Sequence, residues 1–184
     1  LALRAASDKT FDRIFDLAIG KAGGTHDMAR ERADNWSGGQ VGAGELRGTK
    51  WGLCASFLPA VDIGAITYET AKQIYRARFW DKIQGDDLPP VLALLMFDAA
   101  LTLTATFAMI LLRRAVGAHE GAVGPVLASY VHEACELHGT ASVCAEFQAR
   151  RIATWVSPAT DPQLRLLPHF KKQFELAYQS ASLV

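Results

Sequence analysis

Apolar residues recur along this chain with a helical period, interrupted by one long stretch of different texture. Phe11, Ile14, Phe15 and Ala18 repeat at i, i+3, i+4 and i+7, while Asp12, Arg13 and Asp16 fall on the opposite side. That spacing predicts a first helix from about Thr10 to Gly20, with Ser7 or Asp8 as its cap and the glycines after it as its stop. Residues 23–66 are rich in glycine and hold Trp36 and Trp51, so they read as a loop or hairpin region. Helical order returns behind Thr67, a predicted N-cap, and runs to about Trp80 with Ala71, Ile74, Tyr75 and Phe79 on one stripe. Gln84–Pro89 is a polar turn, and His119–Gly124 is a second one. Pro125 opens a helix that His138-Gly139 breaks, and Thr140 caps another running to about Trp155. A loop over Ser157–Pro162 and an amphipathic helix over Pro168–Ser180 complete the series.

The segment Pro90–Leu112, PVLALLMFDAALTLTATFAMILL, organises the rest, and Asp98 is its one ionisable side chain. Its length satisfies the rule for a membrane span. A buried pair of helices is the better reading. An isolated carboxylate in lipid is costly, and the alternation of Thr102, Thr104 and Thr106 favours a break in the middle. Leu94, Phe97, Leu101 and Phe107 are the expected core, and Asp98 is expected to be structural, bonded to nearby backbone or to an Arg.

Composition narrows the function. A chain of 184 residues, half of them hydrophobic, forms one domain or at most two small ones. Lys+Arg and Asp+Glu both number 19, so no cationic excess points to a nucleic-acid partner. Cys54, Cys135 and Cys144 fit no zinc spacing and no disulfide framework, although Cys135 and Cys144 flank one helical break. The five histidines, His26 among them, are scattered, so neither a metal nor another cofactor is expected. The opening LALRAASDK has no signal-peptide pattern, and the absence of Met leaves the true N-terminus open.

Three phrases carry a family resemblance. Residues 66–100, ITYETAKQIYRARFWDKIQGDDLPPVLALLMFDAA, hold an aromatic-Asp corner, a Gly-Asp-x-Leu-Pro turn and a Phe-Asp-Ala-Ala helix start. Residues 111–131, LLRRAVGAHEGAVGPVLASYV, are similar to a linked peptidoglycan-binding segment. KAGGTHD at 21–27 and GTKWGL at 48–53 are similar to Glu-Gly-Gly-Tyr and Gly-x-Thr-Asn-x-Gly-Ile motifs. Together they resemble glycoside hydrolase family 108, the bacterial and phage N-acetylmuramidases of the lysozyme-like superfamily.

The resemblance implies a mainly α, lysozyme-like fold: a helical bundle around a buried apolar pair beside a small Gly-rich lobe. It implies one domain over 1–184, with a catalytic-type lobe at 8–80 and a peptidoglycan-binding-like lobe at 81–184. The implied partner is the glycan strand of peptidoglycan, cleaved between N-acetylmuramic acid and N-acetylglucosamine in the periplasm or cell wall. Lysozyme-type hydrolysis needs a protonated carboxylic acid and a second group that handles water or the cationic transition state. The family's acid is the residue before the two glycines, which is Ala22 here. Candidates for the second group are Glu31, Asp34 and Thr49, and candidates for substrate contact are Gly23, Gly24, Lys50, Trp51, Trp36 and Tyr68. Trp51 is the favoured stacking residue, whereas the helical spacing of Tyr75 assigns it to the core.

Further departures are Lys50 in place of Asn, Thr102 and Thr104 in place of Asn and Gly, and an insertion over about Asn35–Leu46. Two readings follow: a muramidase whose acid was exchanged for Ala by deliberate mutation, or a natural non-catalytic relative that binds glycan or protein. A membrane-helix protein is the third, resting on residues 90–112 alone. Oligomeric state and export route stay open.

Overall fold

The computed structural model describes residues 2–156. The expected loop at Ser157–Pro162 and helix at Pro168–Ser180 lie outside the described residues. Contacts divide the chain into two compact units, Leu1–Arg78 and Phe79–Val184.

In the first unit, α1 (Ala2–Ala18) begins earlier than the expected Thr10 and runs through Ser7 and Asp8. The preceding Leu-Arg-Ala-Ala run consists of good helix formers, which extend the helix past those candidate caps. Phe11, Ile14 and Phe15 are buried as the stripe predicts. Phe15 packs against Tyr68 and Tyr75 at centroid distances of 5.5 and 5.4 Å. Residues 25–66 are irregular apart from a 3₁₀ turn at Ala33–Asn35 and two short antiparallel strands, β1 (Thr49–Lys50) and β2 (Leu53–Cys54), in register Thr49↔Cys54 and Lys50↔Leu53. Helix α2 (Tyr68–Tyr75) starts at Thr67, whose side chain accepts from the Thr70 amide at 3.1 Å. Arg76–Trp80 then forms a π-helical turn. A π turn carries one extra residue, so the position buried after Tyr75 is Trp80 rather than Phe79.

The second unit is built on the apolar pair. Helix α3 (Pro90–Thr102) and α4 (Ala105–Ala115) meet at a break over Leu103–Thr104, where Thr104 caps α4 by accepting from the Phe107 amide. Helices α5 (Gly124–His138) and α6 (Thr140–Val156) form a hairpin through Gly139, and both α3 and α4 contact α6. Every residue from Leu92 to Ala100 is buried. Among the described residues no helix is long and apolar enough to cross a membrane.

The core expectation divides. Leu94 and Phe97 are fully buried, Leu101 is half-buried, and Phe107 is 37% exposed. The buried face of α4 is Ala108, Met109, Leu111 and Leu112, and Phe107 lies beside that stripe rather than on it. Phe97→Ala should therefore cost about 3–5 kcal/mol, against less than about 1 kcal/mol for Phe107→Ala. Paired urea melts of the two variants check the contrast.

Asp98 is structural, as expected. Its Oδ2 accepts from Arg151 Nη2 at 2.7 Å, and both side chains are fully buried. The same nitrogen donates to Thr102 Oγ1 at 2.7 Å, and that hydroxyl donates to the Asp98 carbonyl at 2.9 Å.

Candidate functional site

Position 22 lies in a 3₁₀ turn, Lys21–Gly24, that follows α1 once Gly20 turns to φ 74°. Backbone pairing fixes this turn. The Trp51 amide donates to the Gly23 carbonyl at 2.6 Å, and Asp27 and Thr49 exchange two amide–carbonyl bonds of 2.8 Å each. Trp51 and Gly52 form the two-residue turn of the β1–β2 hairpin with φ of 56° and 74°. Both residues with φ > 0 is the geometry that matches strand twist. Glycine adopts it freely, while Trp51 must be held there.

Several contacts hold it. Trp51 Nε1 donates to the Ile66 carbonyl at 3.2 Å, and Tyr75 donates its hydroxyl to the Trp51 carbonyl at 2.8 Å. The indole meets Tyr68 edge-on at 5.4 Å, and Tyr68 donates its hydroxyl to Asp16. Burial, then the bond to Asp16, pushes the Tyr68 phenol well above its ordinary pKa, so it remains a donor. The Trp51 ring lies so close over Gly24 that an added Cβ would stand 2.6 Å from Cζ2. Gly24, Trp51 and Tyr68 thus form one stack beside the turn.

Two of the second-group candidates, Asp34 and Thr49, adjoin a network that centres on Asn35, a residue that sequence reasoning did not select. Asn35 is fully buried. Its Nδ2 donates to the Ala29 carbonyl at 2.9 Å, its Oδ1 accepts from Thr49 Oγ1 at 2.6 Å, and its carbonyl accepts the Arg47 and Gly48 amides at 3.0 Å each. The Ala29 carbonyl can only accept, so the amide orientation is fixed and Oδ1 must face Thr49. Thr49 accordingly spends its proton on Asn35 and meets any other partner through its lone pairs.

Asp34 is gripped by Arg32, with Nε at 3.2 Å and Nη2 at 2.9 Å, while Arg32 Nη1 reaches Asp27 Oδ2 at 2.9 Å. The hydrogen bonds from Arg32 hold the Asp34 carboxyl below its usual range. Asp34 is thus an anion at neutral pH, suited to stabilising positive charge and poor as a proton donor. A depressed folded pKa contributes stability above the unfolded pKa that is lost as pH falls through the folded value. That window lies below about pH 4, and because these side chains are well exposed the contribution is small. In an NMR titration Asp34 should ionise below a typical Asp, and Arg32→Ala should raise its midpoint towards the ordinary one.

The other predicted residues are placed more peripherally. Glu31 is exposed. Trp36 donates Nε1 to the Arg30 carbonyl at 2.9 Å and bridges to Leu46, so it closes the 36–46 loop at its base. Lys50 donates Nζ to the Gly64 carbonyl at 2.8 Å. His26 donates Nε2 to the Arg47 carbonyl at 2.7 Å. Among the described residues no group of His, Cys, Asp or Glu could hold a metal ion. The structure therefore sets Trp51 against the turn that holds Gly23 and Gly24, with Tyr68 against Trp51. It pairs Thr49 with Asp27 and Asn35, ties Asp34 to Asp27 through Arg32, and gives Glu31 and Trp36 no contact with that turn.

Residues 21–103 match the family model described as glycosyl hydrolase 108. The matched stretch starts one residue before position 22 and ends in the α3–α4 break. Segment 111–131 lies beyond it. Among solved structures, the chain is similar to Brucella abortus SagA at 18% identity, with 97% of this chain and 95% of that chain covered and a TM-score of 0.67. That likeness bears on the fold, which is mainly α and lysozyme-like as expected. No curated protein matches.

Proposed function

We propose, from the match of residues 21–103 to the glycosyl hydrolase 108 model, a protein that binds the glycan strands of peptidoglycan at the 21–54 lobe and, as Ala22, does not cleave them. The finer assignment is an N-acetylmuramidase site, acting on the β-1,4 bond after N-acetylmuramic acid, with its proton donor missing. One observation carries this reading: the turn at position 22 is bonded through Gly23 to the hairpin that bears Thr49 and Trp51. Those bonds support a reading in which a residue at 22 works beside a hydroxyl that can accept a hydrogen bond from water. Asp34 supplies negative charge for an oxocarbenium-like transition state. Residues 8–80 are the catalytic-type lobe in this proposal and 81–184 the peptidoglycan-binding-like lobe, with action on the cell-wall side of the membrane.

A natural binder is the second reading, and particular bonds favour it. Lys50 is engaged with Gly64 and Thr102 with Asp98 and Arg151, so these departures from the family pattern are built into the fold. Sedimentation with purified sacculi tests both readings. The chain should pellet with them while releasing no reducing ends, and failure to pellet would remove the glycan assignment.

A further inference from the structure

The α5–α6 hairpin carries two thiols that the glycan site does not use. Cys135 lies four residues before Gly139 and Cys144 five after it, on packed helices joined by that one residue. At the helical rise both stand about 6–7.5 Å from the turn, hence at the same level of the hairpin. Cys144 is buried and Cys135 half-buried. Burial pushes the Cys144 thiol up to about 11, and the neighbouring Cys135 adds to the rise. An open cavity of about 550 Å³ beside the hairpin is lined by Ala134 and Val143, the residues next to the two cysteines in the chain, and not by the cysteines themselves. Cys54 belongs to the first unit and contacts Ser56 Oγ at 3.3 Å, so it serves as an internal control.

We infer that Cys135 and Cys144 form a thiol–disulfide exchange site, which takes a small-molecule disulfide and closes to a bridge between α5 and α6. The half-buried Cys135 thiolate attacks the disulfide, forming a mixed disulfide and expelling one thiolate. Cys144 then gives up its proton and attacks the Cys135 sulfur, which expels the second thiolate. Two protein thiols are oxidised, the disulfide is reduced to two thiols, and both protons end on the released molecules.

The test uses the full chain with oxidised glutathione at mildly alkaline pH. Reactive thiols should fall from three to one, and the intact mass should drop by two hydrogens. Cleavage after Glu136 separates the two cysteines, so their fragments should stay joined until reductant is added. Cys144→Ser should trap one glutathionyl group on Cys135, and Cys54→Ser should bridge like the parent. Stable glutathionylation of Cys135 in the parent chain would overturn the inference. So would a bridge that includes Cys54, or bridging only in denaturant.

Discussion

Ala22→Glu is expected to raise the release of reducing muramic-acid ends from sacculi by about 10²–10⁴-fold, the usual worth of a positioned general acid. The backbone is already in place, because the 21–24 turn is tied to Trp51 through the Gly23 carbonyl. Since the acid works protonated, the restored rate should fall as alkaline pH ionises it. In that background Thr49→Val should remove most of the gain and Thr49→Ser should keep it, because only the serine preserves a hydroxyl that can donate to Asn35 and accept from water. If Asn35 acts by orienting Thr49, Asn35→Ala combined with Thr49→Val should be little worse for turnover than Thr49→Val alone. An Ala22→Glu protein that folds normally and stays inert on sacculi would sink the muramidase reading and leave the natural binder.

The second large effect is on stability. Arg151→Met should cost about 3–5 kcal/mol, because it removes the cation paired with a fully buried carboxylate. Burial pulls the Arg151 guanidinium down from its ordinary pKa and Asp98 opposes that pull, so removing either partner exposes the desolvation cost of the other. Asp98→Leu combined with Arg151→Met should cost clearly less than the two single changes added together. Chemical denaturation of the four proteins decides it, and additive losses would mean the two side chains act separately.

The elements that could be read from sequence are those where local chemistry and packing agree. Thr67 and Thr104 cap helices through their own hydroxyls, and Gly139 ends α5 with φ 81°, so boundaries there follow from residue type. Asp98 was legible because one carboxylate in an apolar helix requires a partner, but which cation supplied it was not, since Arg151 is 53 positions away. Phe107 was misplaced because nearly every position of α4 up to Leu112 is apolar, which hides the face that turns inward. At the site, the glycines around position 22 pointed to the turn. Asn35 gave no sign, since an Asn in a Gly-rich loop reads as an exposed turn former and its burial depends on Ala29, Arg47 and Thr49 converging on it.

The stack of Trp51 on Gly24 also bears on how such a chain changes over generations. The Lys21–Gly24 turn is held by the Gly23 carbonyl and by the indole over Gly24. Two of the four alanine codons lie one base from a glutamate codon, so under the proposed function a lineage can lose or regain the acid at position 22 in a single mutational step. Position 24 has less freedom, because any side chain there requires the Trp51 ring to shift from its place over the turn. Descendants that have abandoned hydrolysis should therefore vary at 22 long before they vary at 24 or 51.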